Sequence, residues 1–398
     1  MNKGLTQNWY KGNLHTHSLW SDGDEFPERI LDWYKDKGYH FLALSDHNTV
    51  SEGDKWITVS EDSLLQRTFQ RYLEAYGEDW VKTKIDSGRT LVKLRTFREY
   101  RDKIGEPGAF LVIHAEEISD RFQSPGNAMG PEGVQKKLPP ISKPVHMGAI
   151  NVKELIPPQG GNTVTEVIQN NIDALQKQRA KTGVPMMLHL NHPNFYYAVS
   201  PEDIMALKGE RFFEVYNGHP MVHNMGDSTH ISTEDMWDLI NISYLEDHKP
   251  LLYGLATDDT HHYHNKASKW SNAGRGWVMV QADTLSAPAL IDAMEKGDFY
   301  ASTGVTLQNV ENVHNTLNII IQEEPGVSYE LTLIGCKKGG SEPEELKSVT
   351  GTRASFKLSD DLLFARCRIT SSKLQENPIE NIFYEMAWTQ PVLCGENP

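Results

Sequence analysis

Cysteine is scarce in this 398-residue chain, and long apolar runs are missing. Cys336, Cys367 and Cys394 all fall in the last quarter, are odd in number and lack CxxC spacing. That argues against a disulfide framework and against a thiolate zinc site. No stretch approaches the ~20 apolar residues a membrane helix needs. The opening "MNKGLTQNWYKGN" has no apolar run that would read as a signal peptide. The chain is expected to be soluble, either cytoplasmic or an exported mature form without its signal. Basic charge is also short: 39 Lys and Arg against 54 Asp and Glu give a formal charge of -15. Partners that require basic patches, a nucleic-acid polymer or an anionic membrane surface, are therefore disfavoured. A phosphate ester held through metal is not, because bound cations reverse the local field.

Histidine is well supplied, with sixteen residues, and its placement is patterned. Seven short apolar runs end in or beside His, Asp or Glu: "GNLHTH" (12–17), "HFLALSDH" (40–47), "AFLVIHAEE" (109–117), "PVHMGAINV" (144–152), "VPMMLHLNH" (184–192), "RFFEVYNGH" (211–219) and "LLYGLATDDTH" (251–261). Several are near-continuous hydrophobic stretches, as strands buried on both faces of a parallel sheet would be. Helical segments lie between them. "PERILDWYKDKGY" opens with Pro27 and stops near Gly38. "VTEVIQNNIDALQKQRAKTG" spaces Val164, Val167, Ile168, Ile172 and Leu175 on one helical face before Gly183. "STEDMWDLINISYLED" and "SAPALIDAMEKGD" read the same way. Alternating strand and helix, with one chemistry at one strand end, predicts a barrel-like α/β fold of about seven units over residues 1–305.

Two insertions interrupt the rhythm: a charged, helical stretch at 53–107 and a Gly- and Pro-rich loop at 119–143 that would border or cover a pocket. From residue 306 to 398 helical periodicity disappears, predicting a small antiparallel β domain.

The strand-end residues are His15, His17, Asp22, His47, Glu117, His146, His192, Asp259 and His261, with Asp46, Glu116, His189 and Asp258 one step away. Two histidines at i and i+2 on a strand face one way, so His15 and His17 project together. An isolated His-x-His is ordinarily a pair of satisfied core histidines. Six histidines and three carboxylates at corresponding strand ends are a different matter, because in a barrel those ends converge on one mouth. Clustered carboxylates raise one another's pKa and lose solvation, and divalent cations relieve both costs. Nine ligands exceed one coordination sphere, so two or three divalent ions fit better. An all-N/O donor set admits zinc, manganese or iron. Ions about 3.5–4 Å apart would bridge a water, lower its pKa and clamp a phosphoryl group, giving metal-assisted hydrolysis of a small-molecule ester.

The motifs "HTHSLWSDG", "LSDHNT", "AEEI", "VHMGAINV", "NHPN" and "TDDTH" resemble, in order, those of the polymerase and histidinol phosphatase (PHP) superfamily. Together with "GWVMV…GDFYASTG" and "AWTQP" they resemble more narrowly its carbaryl-hydrolase-like branch. The resemblance implies a distorted seven-stranded (β/α)7 TIM-like barrel with a trinuclear centre. It implies that His15, His17, Glu117 and Asp259 hold one ion. Glu117 would bridge to a second held by His146 and His192, and Asp22, His47 and His261 would hold a third. Glu117 is chosen because the family's ligand precedes an aliphatic residue, and Glu116 stays as the alternative. Asp22 occupies a place that is histidine in some relatives.

Among non-ligands, Asp46 is a candidate general acid or orienting group. Arg275, in "AGRGWVMV", is a candidate oxyanion binder, as is Arg121. His219, His223 and His230 are read as solvated or capping histidines, and His262 and His264 as pointing elsewhere. The leading expectation is a phosphoesterase. A hydrolase of carboxyl esters, carbamates or amides is the alternative, with Phe195, Tyr196 and Tyr197 leaning that way. A non-enzymatic metal-binding module comes third.

Overall fold

The computed structural model describes residues 8–59, 64–124, 127–129, 135–137 and 140–395. Among them the fold is mixed α/β, with seven helices and one large sheet of fourteen strands. No described helix is long and apolar enough to cross a membrane.

Seven neighbouring strands of the sheet carry the seven apolar runs: Tyr253–Thr257, Phe212–Asn217, Met187–Leu190, Ser142–Ile150, Leu111–Gln123, Phe41–Leu44 and Asn8–Asn13, in spatial order. Phe41–Leu44, Met187–Leu190 and Tyr253–Thr257 are buried along their whole length. The hydrophobic runs have this origin: both faces of these strands are covered, so alternation disappears. The helices start and stop where the sequence places caps. Thr163 accepts from the Glu166 amide at the head of Val164–Thr182, and Gly183 closes that helix at φ 67°. Ser232 caps Thr233–Glu246 through the Asp235 amide.

Pairing within the set is not wholly parallel. Ser142–Ile150 runs antiparallel to both neighbours, Leu111–Gln123 and Met187–Leu190. Residues 119–123 and 142–143, expected in a loop, extend this hairpin, with Gln123 opposite Ser142. A direct hairpin return has to be antiparallel, whereas a parallel return needs a crossover. Beyond it, Asn127–Met129 pairs with Gln135–Lys137. The rest of the expected 119–143 loop lies outside the described residues.

The first and last strands of the set meet only at the rim. Thr16 bridges Thr260 in parallel, with His17 N donating to Thr260 O (2.9 Å) and Asp259 N to His15 O (2.9 Å). This is an isolated bridge rather than a ladder: the edge strand Tyr253–Thr257 reaches the rim beside Asn8–Asn13, whose other side is already paired with Trp277–Ala282.

The 53–107 insertion contains the helices Leu64–Trp80 and Phe97–Ile104, but also an unexpected three-stranded sheet of Trp56–Val59, Arg89–Lys93 and Thr83–Asp86. Those strands are four or five residues long, too short to show a hydrophobic period. From Leu307 onward the described elements are strands. Some continue the large sheet where Phe299–Ser302 pairs with Tyr384–Thr389, whereas Leu307–Val313, Thr316–Ile321 and Arg353–Lys357 form a separate three-stranded sheet. The Gln390 side chain donates to Gly254 O (2.8 Å) and accepts from Gly254 N (2.9 Å), fastening this region to the Tyr253–Thr257 strand.

Candidate metal centre

Asn13 ends the first strand, and the chain stays extended through the Thr16 bridge. His15 and His17 therefore project to the same side, with ring centroids 5.2 Å apart, and both are fully buried. Glu117 is the hub of the cluster. Its Oε1 lies 3.0 Å from His15 Nε2, 3.4 Å from His146 Nδ1 and 3.4 Å from His192 Nε2. Its Oε2 lies 2.5 Å from His47 Nδ1 and 3.8 Å from His17 Nε2. Asp259 Oδ1 is 3.2 Å from His17 Nε2 and 3.3 Å from His15 Nε2. Towards solvent, Asp22 Oδ1 sits 3.3 Å from His261 Nε2 and 3.5 Å from His47 Nε2. All nine strand-end candidates thus converge. Their donor atoms fall into overlapping groups with mutual separations within 4.8 Å: His17, Asp22, His47, His261; His15, His192, Asp259; His15, His17, Glu117; and His47, Glu117, His146. His146 arrives by a route the sequence pattern concealed. It lies early in the antiparallel strand, opposite Ser119, and so enters from the rim that the parallel strands exit.

Without cations the imidazoles divide: against burial, the carboxylates they face raise His15 and His261 and bring His47 up to about 11, while His17 goes the other way. Burial alone would raise the Glu117 carboxyl, but His146, His47 and His15 outweigh it and hold it well below the carboxylate range. Burial, reinforced by His261 and His47, brings His17 down to about 3, so its imidazole is neutral. His17 Nε2 is buried with no hydrogen-bond partner, an orphaned atom aimed at two carboxylates. His192 and Asp259 adopt positive φ, 24° and 49°, a strain that surrounding structure must hold in place.

Several supporting residues escaped the sequence reading. Glu214, fully buried, accepts from His15 Nδ1 (2.7 Å), Thr257 Oγ1 (2.8 Å), the His192 amide (2.8 Å) and Asn217 Nδ2 (2.7 Å). Asn191 Nδ2 donates to Glu117 Oε1 (2.7 Å), and Asn217 Nδ2 also reaches Asp259 Oδ2 (3.2 Å). A signal for Glu214 was available: one carboxylate inside "FFEVY", a strand buried at every position, has to be paired. Glu214 fixes His15 Nδ1 as a donor, so a cation that displaced the Nε2 proton would find that nitrogen facing Glu117 and Asp259. A Glu214→Gln variant is expected to lose about 10–100-fold in metal affinity or activity while staying folded. Metal titration against the parent protein checks this, and unchanged affinity and turnover would remove the positioning role.

The other candidates lie outside the converging groups. Asp46 offers no free oxygen to the cluster. Its Oδ1 accepts from the Ser18 amide (2.7 Å) and Ser21 Oγ (2.6 Å), and its Oδ2 from Ser18 Oγ (2.6 Å). It secures the loop after His17. Arg275 is 2% exposed, and its guanidinium is spent on the carbonyls of Asn377, Gly218, Trp270 and Ala267. It holds loops together with four of its five N–H donors, leaving one on Nη2. Glu116 points away and accepts from the Ile156 amide (2.7 Å), with burial pushing it up to about 8. Asp258 fastens the Gly274–Gly276 turn through three backbone amides. His189 is buried behind the centre, its ring 6.4 Å from that of His15 and its nitrogens unpartnered. Arg121 is on an exposed stretch of its strand.

His219 sits closer to the centre than expected, its ring 5.6 Å from His261 and 6.0 Å from Phe195. His223 and His230 stack on Tyr197. His262 packs on Trp270, and His264 bonds Thr68 Oγ1 (2.9 Å).

No family model and no curated protein matches this chain. Among solved structures it is similar to a two-domain protein from Bacteroides vulgatus described as containing a predicted PHP-like metal-dependent phosphoesterase. That likeness has 15% identity, 97% coverage of this chain, 96% of the other and a TM-score of 0.40. It is also similar to a protein from Bifidobacterium adolescentis described as a candidate metal-dependent phosphoesterase, at 12% identity, 63% and 87% coverage and a TM-score of 0.29. Likenesses this distant decide nothing about this chain's chemistry.

Proposed function

We propose that this chain is a metal-dependent hydrolase of the PHP superfamily, in its carbaryl-hydrolase-like branch, acting on small phosphate mono- or diesters. The observation that carries the reading is the convergence of five imidazoles on Glu117, flanked by Asp259 and Asp22. In this reading the seven strands form a distorted barrel over residues 1–305, and residues 306–398 are a separate β-rich part.

The donors fit two or three divalent ions of the zinc, manganese or iron type: nitrogen and oxygen only, with buried carboxylates and an orphaned imidazole nitrogen. His15, His17, Glu117 and Asp259 would hold one. Glu117, His146 and His192 would hold a second, and Asp22, His47 and His261 a third. Such ions supply a nucleophile from water near neutral pH and polarise the ester oxygen. The protein supplies orientation. His261 Nδ1 lies 3.0 Å from Asp259 O and 3.2 Å from Ser271 Oγ, which holds the ring with Nε2 towards Asp22. Asn191 and Asn217 donate to Glu117 and Asp259 and hold both carboxylates in position.

One observation favours carboxyl esters, carbamates or amides instead. Phe195 packs 5.1 Å from the His192 ring, and Tyr196 beside it is 62% exposed, giving that side of the rim an aromatic wall. With Arg275 committed elsewhere, the wall suits an apolar leaving group better than a dianionic terminus. Zinc- or manganese-loaded protein tested side by side on a phosphomonoester, a phosphodiester and an aryl carbamate separates the two. Chelator-sensitive phosphoester cleavage is the expected result. Turnover of the carbamate alone transfers the assignment to the second reading, and no turnover of any of them refutes both.

A further inference from the structure

A second site is suggested away from the rim. A cavity of about 210 Å³ lies between the Pro27–Asp36 helix and the 375–377 loop, and none of the nine rim residues lines it. Three aromatic side chains, Trp33, Tyr39 and Trp277, form part of its wall. The Lys11 ammonium projects among them, 4.0 Å from the Tyr39 ring centroid and 3.8 Å from that of Trp277. Both carboxylates of the wall are paired, while its other cations, Lys37 and Arg275, make no ion pair among the described residues. Glu376 pairs with Lys266 (3.3 Å), and Glu385 with Lys373 (3.3 Å). Lys11 has no ion-pair partner among the described residues. Burial, opposed in part by Asp258, brings its pKa down to about 8, the mark of a cation short of both water and counter-ion.

A half-buried ammonium with aromatic flanks and no carboxylate of its own suits a small anion. We propose that this cavity binds a small organic anion, a carboxylate or phosphate on a flat apolar body, with Lys11 as its counter-charge. The ring faces alone leave Lys11 with cation–π contacts but no hydrogen-bond acceptor. An anionic oxygen would supply one, and the rings would cover the attached apolar group. The proposal does not depend on the reading of the metal centre.

The test is titration of the full-length protein with benzoate and, separately, with inorganic phosphate, followed by calorimetry and tryptophan fluorescence. Saturable binding of at least one probe is expected. It should weaken about tenfold or more in Lys11→Met, the loss of one charge-assisted contact, and recover in Lys11→Arg. It should persist in His17→Ala, which separates this cavity from the rim. Absence of saturable binding by either probe overturns the proposal. So does equal affinity in Lys11→Met, or binding that disappears in His17→Ala while surviving in Lys11→Met.

Discussion

Glu117→Gln protein is expected to fold, to purify short of metal and to lose at least about 10²-fold in kcat/KM, more than loss of a mere supporting partner costs. The reason is geometric. Both carboxylate oxygens are in use, one facing His15, His146 and His192 and the other facing His47 and His17. An amide keeps one oxygen and turns the other position into a donor, which neither accepts from an imidazole nor ligates a cation. The matched control is Glu116→Gln. Glu116 spends Oε1 on the Ile156 amide and is held neutral by burial, so glutamine reproduces it and activity stays within a few-fold. Metal content and steady-state kinetics on both variants decide the matter. Full metal stoichiometry with intact turnover in Glu117→Gln would end the assignment.

The largest stability effect is expected far from the rim. Arg366, 1% exposed, donates from Nε to Asp238 Oδ1 (2.7 Å) and from Nη2 to Asp238 Oδ2 (2.6 Å), and its Nη1 lies 2.9 Å from Glu234 Oε1. Both carboxylates are on the Thr233–Glu246 helix, and the arginine is on the Leu362–Leu374 strand. Arg366→Met removes one partner of a buried pair and leaves Asp238 uncompensated, a loss of about 3–5 kcal/mol. Adding Asp238→Leu removes the stranded charge and is expected to restore most of the loss. Urea unfolding of the three proteins measures both steps. A single variant as stable as the parent would mean that the pair contributes little to holding helix and strand together.

Much of this architecture was legible because local rules carried it. Val164–Thr182 begins at a threonine cap and ends at a glycine, and both signals are intrinsic to a few residues. The seven strand runs were visible because burial on two faces forces continuous apolarity. The antiparallel sense of Ser142–Ile150 was not, since a buried strand reads the same in either direction. The short strands of the 53–107 insertion were missed because four- and five-residue segments show little period.

The chain of residue types, taken alone, determined the donor set: six histidines and three carboxylates at the ends of apolar runs, without thiolates. Only the tertiary structure decided which neighbours face inward. It turned Glu117 to the rim and Glu116 to the Ile156 amide, tied up Asp46 and Arg275 in loops, and brought Glu214 beneath His15. The physical reason is that a spacing along the chain specifies a side of a strand. Whether an oxygen or a guanidinium is free there depends on hydrogen-bond partners from segments hundreds of residues away, such as those joining His15 to Glu214 and Arg275 to Asn377.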